Sequence, residues 1–399
     1  MQNGLDTIEQ QDHFSVNQSL QEKSKGFPLI VLITNIPTPY RIPLFKKLYE
    51  RCRKCDLGFH VIFAAAGYRR RQWEIPFQEM NFPYTILKST KISLSHERVC
   101  FSYAGILQRI SELKPDLIIT SGFSLASTWI ALQSIPFLIW SESIHRASHK
   151  WTIFRRWQRQ FITRRAKGFL VSGERAGRYL QSLGANKEKI VQAISTVDTD
   201  RFYPLSKIRK IRSHNPEHPF TLLYVGHLTT GKRVDRLLHI MHQWVQVCPQ
   251  AQLLLVGQGI EEISLRQLCT QMGLDENVKF LGFLQHDQLL TVYAQADVFV
   301  FPSQYDVWGM VLIEAMASGL TCLASKQAGA TSEVIQHKMN GFKVDFDNPK
   351  EIIQYLNDLY QNPGENIAIG NKAAHYIQTR CHLENSIDGF MKAILWFTR

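Results

Sequence analysis

The chain has 399 residues, of which 45% are hydrophobic and 20% charged. That supports two well-filled globular domains and excludes disorder, collagen and coiled coil. Lysine and arginine number 46 against 34 acids, a formal charge of +12; residues 1–200 carry 28 basic and 16 acidic side chains, and the remainder 18 of each. A one-sided basic field points to an anionic partner, either a membrane surface or a phosphate-bearing substrate. No RNA or DNA module signature accompanies it, so we expect no nucleic-acid partner.

Met1 to Gly26 is polar, lacks an apolar signal core and reads as a disordered tail. With seven scattered cysteines, it fits a cytoplasmic protein, with a peripheral place at the inner face of the membrane left open. Cys52 and Cys55 form a lone CxxC that lacks the two further ligands of a closed zinc site. From Leu29 onward short apolar runs alternate with helical segments: Leu29 to Thr34, RIPLFKKLYERC, His60 to Ala65. This is the pattern of parallel sheets covered by helices. Residues 117 to 141 hold no charge and invite a membrane-span reading. Their strand-length runs, broken by Ser121, Gly122 and Pro136, fit a buried βαβ unit better.

A polar, proline-bearing stretch from Tyr203 to Pro219 interrupts the rhythm and marks a boundary between domains at 27–205 and 206–382. The alternation then restarts with TLLYVG, LLLVG, VKFLG, DVFVFPS and TCLAS. The expected fold class is α/β: two Rossmann-like, doubly wound domains facing across a cleft, with ligands beyond the carboxyl ends of the strands.

Three strand ends in the second half carry chemistry. Gly226, His227 and Lys232 form a turn where backbone amides, a helix start and an ammonium suit a phosphate. An ordinary βα turn with a solvated lysine is the plainer alternative. Val256-Gly257-Gln258-Gly259 follows a strand but lacks the third glycine of a dinucleotide fingerprint. Asp306 to Glu314 places two acids eight positions apart around Gly309, so the amides of Gly309, Met310 and Val311 can hold phosphate while the acids accept from sugar hydroxyls.

In this series the chain resembles the retaining GT-B glycosyltransferases of family 4, the glycosyl transferases group 1, from Ile30 to the C-terminus. The resemblance rests on Gly226-x5-Lys232, VGQG, VKFLGFL, ADVFVFPS, the acid-x7-acid segment with EAMASG, and Gly329-x3-Glu333 ahead of Asn340-Gly341-Phe342. It implies that Lys232 binds the donor diphosphate, Glu314 the nucleotide ribose, and that Asp306 faces the donor sugar. It also implies that a helix near 383–399 returns to the first domain. The family usually has arginine at the position of His227, glutamate at Asp306, and a glycine-rich loop at Thr38-Pro39-Tyr40-Arg41. Arg41 and Arg233 are candidates to replace the missing charge.

Glu142 and His145, after the strand FLIW, are candidate polar groups beside the transferred sugar, with a structural turn as the alternative. Asp198-Thr-Asp200 and Asp345-Phe-Asp347 fall in segments matching parts of the family pattern that hold no metal, so we expect no metal and no cofactor besides the nucleotide-sugar co-substrate. The helix WTIFRRWQRQFITRRAK, Trp151 to Lys167, sets aromatic residues at helical spacing among arginines; it either lies on an anionic membrane or packs its stripe into the core. The expected activity is transfer of a hexose-like unit to a glycan or lipid-linked hydroxyl with retention. A nucleotide-sugar epimerase of this architecture and a catalytically silent nucleotide-sugar-binding partner stay open.

Overall fold

The structure, a computed structural model, describes residues 15–67, 72–95, 98–143, 152–207 and 219–398. It divides into two compact units, one running to Ile194 and taking in Glu384 onward, the other Ser195–Leu383.

The first unit begins with a helix over residues 15–24 (α1), then β1 (Leu29–Thr34), α2 (Ile42–Arg53), β2 (Gly58–Phe63) and β3 (Tyr84–Ile86). A hairpin, β4 (Lys91–Ser95) and β5 (Arg98–Phe101), leads to α3 (Ile106–Leu113), β6 (Leu117–Ser121), α4 (Leu125–Ala131) and β7 (Phe137–Ser141). Then come α5 (Thr152–Arg165), β8 (Gly168–Val171), α6 (Glu174–Ser182) and β9 (Ile190–Gln192). Seven strands pair in the order β3-β2-β1-β6-β7-β8-β9, all parallel. Every residue of β1 and β2 is buried because helices cover both faces, which is why these strands read as continuous apolar runs. The uncharged stretch 117–141 is the βαβ unit β6-α4-β7, and among the described residues no helix is long and apolar enough to cross a membrane.

Residues 15–24, assigned to a disordered tail on composition, are helical. A polar helix docks here through hydrogen bonds: Ser19 Oγ lies 2.9 Å from His60 Nδ1, and Gln18 Nε2 donates to the Tyr49 hydroxyl at 2.7 Å. The other His60 nitrogen meets Thr85 Oγ1 at 2.9 Å, and burial pushes its pKa down to about 3, so the ring bridges helix and sheet as a neutral group.

The second unit holds β10 (Thr221–Val225), α7 (Val234–Trp244), β11 (Gln252–Val256), α8 (Glu262–Gln271), β12 (Val278–Gly282) and α9 (His286–Gln295). It continues with β13 (Val298–Phe301), α10 (Met310–Ala317), β14 (Thr321–Ser325), α11 (Thr331–Val334) and β15 (Phe342–Val344), and ends in α12 (Pro349–Gln361) and α13 (Pro363–Arg380). Its six parallel strands run β12-β11-β10-β13-β14-β15. The order reverses between β10 and β13, the switch point at which ligands bind in open parallel sheets. The boundary lies near Ser195 rather than at 205 because 195–206 packs on the second unit: Phe202 meets the Tyr293 and His286 rings edge-on, and Thr196 Oγ1 bonds the Cys381 carbonyl.

The last helix, α14 (Leu383–Thr398), lies on the first unit from Glu384 onward. Glu384 pairs with Lys47 at 2.6 Å and Arg51 at 3.0 Å, and Phe390 meets Trp140 edge-on at 5.1 Å. Gly389 sits so close to β9 that a Cβ there would lie 2.2 Å from the Gln192 carbonyl oxygen, whereas one at Gly364 in α13 would meet nothing. Glycine-to-alanine therefore has opposite signs at the two sites. Gly389→Ala is expected to destabilise the first unit by about 1–3 kcal/mol through overpacking, and Gly364→Ala to gain about 0.4–1 kcal/mol by restricting the unfolded chain. Thermal melts of the two variants check both.

Candidate active site

Three loops of the second unit interlock at the carboxyl ends of β10, β11 and β13. The Gly226 amide donates to the Val256 carbonyl at 2.9 Å, Leu228 to Gln258 at 3.0 Å, and Gln304 to Gly231 at 3.0 Å. A Cβ on Gly257 would stand 1.8 Å from the Gly226 oxygen, and one on Gly259 2.0 Å from the Leu228 oxygen. Only glycine lets these backbones approach so closely. Gly226 and Gly257 thus shape the loops, and the Tyr224 hydroxyl fixes the first by donating to the His227 carbonyl at 2.8 Å.

Within this frame the short turn Thr230–Lys232 after β10 brings the Lys232 ammonium onto Asp306, in the loop after β13. The pair spans the switch point, and both side chains keep about a fifth of their surface exposed (19% and 20%). Asp306 is held from three sides: Oδ1 accepts from the Trp308 amide at 3.3 Å, the carbonyl accepts from Gly329 at 2.9 Å, and Lys232 takes Oδ2. Gly329 is the close-approach partner here, since a Cβ would lie 2.0 Å from the Val307 oxygen.

Gly309, at φ +101°, opens α10, whose first amides at Met310 and Val311 have no acceptor within the helix. The positive end of a helix and a lysine thus stand on either side of one aspartate, an arrangement that suits an anion. The buried Trp308 indole N–H in the same loop has no acceptor among the described residues.

Glu314 lies one turn further, buried on α10, with Oε2 accepting from the Tyr293 hydroxyl of α9 at 2.8 Å. Burial pushes its pKa up to about 7, opposed by the Tyr293 hydrogen bond and by Arg201. Tyr293 was not singled out in the sequence, and no spacing rule links residues on separate helices. The only signal is that a buried carboxylate needs a donor.

Of the remaining candidates, Arg41 and Glu142 come together in the first unit, at the ends of β1 and β7. Arg41 Nη2 donates to Glu142 Oε1 at 3.3 Å and Nη1 to Thr34 Oγ1 at 3.2 Å, with the guanidinium 4.6 Å from the Trp140 ring. This pairing of residues 101 apart was also not read from the sequence. His145 lies outside the described residues. Asp200 accepts from Gln378 and faces His382, while Asp347 pairs with Arg233 at 2.6 Å and Arg236 at 3.4 Å. Arg233, at φ +56°, is thereby turned toward Asp347, and with Thr229, Thr230, Glu261 and Gln304 it lines a cavity of about 460 Å³ beside the lysine turn.

Residues 206–376 match the family described as glycosyl transferases group 1. An uncharacterized glycosyltransferase of Methanocaldococcus jannaschii is 34% identical over 164 residues, covering 41% of this chain and 42% of the relative. A GDP-mannose-dependent monoacylated alpha-(1-6)-phosphatidylinositol monomannoside mannosyltransferase of Corynebacterium glutamicum is 31% identical over 196 residues, 46% of this chain and 50% of the relative. These alignments thus span half or less of each relative's length. Anabaena HepE, solved in complex with UDP-glucose, superposes with a TM-score of 0.71 at 20% identity, covering 92% of this chain and 99% of that one, which shows the shared two-domain GT-B fold. The family pattern read from Gly226 to Phe342 falls within the matched segment, so it is the second unit of this chain that is similar to the glycosyl transferases group 1.

Proposed function

We propose that this protein transfers a sugar from a nucleotide-diphosphate sugar to a hydroxyl of a glycan or lipid-linked acceptor, with retention and without a metal, in polysaccharide or glycolipid synthesis. The observation that carries the reading is the Lys232–Asp306 pair across the β10/β13 switch point, beside the start of α10. The names of the relatives add weight: one acts on a phosphatidylinositol mannoside and one was solved with UDP-glucose.

In this reading the donor diphosphate takes Lys232 from Asp306 and receives the amides of Gly309, Met310 and Val311, while Glu314 accepts from the ribose. Gly226 and Gly257 let the backbone approach the nucleotide, and His227 faces the same anion. Asp306, freed from the lysine, steadies positive charge developing on the sugar. The bond from the anomeric carbon to the diphosphate oxygen breaks. The acceptor oxygen bonds that carbon on the same face, and its proton passes to the departing phosphate. A partner at an anionic membrane surface belongs to the same reading, since a lipid-linked acceptor lies there.

Two measurements follow. In a thermal-shift panel of UDP, GDP, ADP and their sugars, one base stabilises the protein specifically. Lys232→Ala then weakens that nucleotide by about 10- to 100-fold, the worth of one charged hydrogen bond, with little change in the unliganded melt. An unchanged shift places the diphosphate elsewhere, and donor binding with no sugar transfer to any acceptor leaves the silent binding partner.

Glu314 gives a pH signature. Its folded pKa, about 7, exceeds the 4.5 of an unperturbed glutamate. The native state therefore holds a proton the unfolded chain releases, and this contribution to stability is lost as pH rises through that window. Glu314→Gln removes the slope, so its melting temperature relative to wild type is expected to rise between pH 5 and pH 8, reckoned from the pKa direction. Nucleotide affinity of the wild type weakens below about pH 7, where the carboxyl loses an acceptor. A variant with the wild-type pH profile in both readouts contradicts this.

A further inference from the structure

The aromatic and arginine helix α5 faces solvent where a core helix would face the sheet. Ile153, Phe154 and Trp157 are 84%, 64% and 62% exposed, while Ile162 and Thr163 are buried on the opposite side. Leu125, Trp129 and Leu132, along α4, are exposed as well. The N-terminal part of the stripe, Phe154 and Trp157, is therefore not the core-packing face that its helical spacing alone allows, while Phe161 at its end is half-buried against the core.

The two stripes form one surface. α4 and α5 follow the neighbouring parallel strands β6 and β7 and pack side by side. Gln158 Nε2 donates to Thr128 Oγ1 at 2.8 Å, and Arg165 donates to the carbonyls of Ala131 and Gln133 at 3.1 and 3.4 Å. With about 3.6 residues per turn, both exposed stripes lie roughly a quarter turn from this contact line. Because the helices run parallel, both turn to the same side, away from the sheet. Phe154 and Trp157 stack on one another, as do Trp157 and Phe161, giving a firm aromatic ridge.

The charge on this surface has one sign. Residues 117–141 carry no charge, and 152–165 carry five arginines and no acid. Arg155, Arg156 and Arg164 are exposed and pair with no acid among the described residues. Six large apolar side chains rimmed by unpaired guanidinium groups cost free energy in water. They match a surface that offers both hydrocarbon depth and negative charge.

We propose that the α4–α5 face docks on an anionic lipid bilayer, with Ile153, Phe154, Trp157 and their α4 neighbours in the acyl boundary and the arginines among the headgroups. Such a helix pair lies on a membrane and does not span it. The proposal deepens the membrane part of the transferase reading and needs no nucleotide in its test, so its failure removes the membrane partner and leaves donor binding and sugar transfer standing.

The experiment is cosedimentation of the full chain with vesicles of phosphatidylglycerol mixed into phosphatidylcholine, against vesicles of phosphatidylcholine alone. Binding is expected to the mixed vesicles, to weaken with added salt, and to fall about tenfold or more when Ile153→Ser, Phe154→Ser and Trp157→Ser are combined. Since those side chains are exposed, the melting temperature should hold. Should that variant misfold, Arg155→Gln, Arg156→Gln and Arg164→Gln give an independent arm, at about fivefold per arginine. No binding to mixed vesicles, equal binding to neutral ones, or binding that neither variant weakens overturns the proposal. A concentration-dependent dimer lost in the serine variant, with no vesicle binding, assigns the face to a second copy and overturns it too.

Discussion

The second unit depends on backbone meeting backbone. Where β10, β11 and β13 end, Gly257 abuts the Gly226 carbonyl, Gly259 the Leu228 carbonyl and Gly329 the Val307 carbonyl, each closer than any side chain permits. A loop held by its main chain moves little when side chains are exchanged for ligand. Lys232 and Asp306 are thus carried on rigid supports to either side of the switch point, with α10 starting beside them. The carbonyl of Asp306 is part of the same lattice through Gly329, so the acid is fixed at its backbone while its carboxylate stays exchangeable.

That exchangeability is the chemical point. An ion pair with a fifth of each side chain in solvent is worth only about 0–1 kcal/mol, whereas a charge-assisted bond from the same lysine to a dianionic diphosphate is roughly twice as strong as a neutral one. In the proposed reading the anion therefore wins the ammonium, and the carboxylate is released at the moment a cationic sugar needs it. Asp306 in place of the family's usual glutamate fits this arrangement. The shorter side chain reaches Lys232 while its other oxygen accepts from the Trp308 amide.

Sequence made the alternation of strands and helices plain, because buried parallel strands appear as uninterrupted apolar runs, and the uncharged stretch 117–141 resolved into β6-α4-β7. The loops around Gly226, Gly257 and Gly309 were also legible, since glycine at a strand end has few other uses. What stayed hidden depends on contacts between distant residues. Examples are Tyr293 on Glu314, Arg41 on Glu142, and the Ser19–His60 bond that docks α1 without an apolar stripe to announce it. The boundary was misplaced for the same reason: composition marks 203–219 as polar, but Phe202 anchors the preceding residues in the second unit.

The orientation of α5 shows why periodicity alone does not decide function. Aromatic residues at 154, 157 and 161 fit a core helix and a surface helix equally well, because the period states only that they share a side. Burial of Ile162 and Thr163 decides which side is inward, and leaves Ile153, Phe154 and Trp157 outward among arginines. This also explains where the basic excess lies. In the proposed reading the second half, with 18 basic and 18 acidic groups, handles its anion locally, with one lysine, a helix start and glycine loops. A diphosphate is small enough for that. An extended anionic surface demands charge spread over a wider area, and in the docking proposed for the α4–α5 face the five arginines of α5 supply part of it.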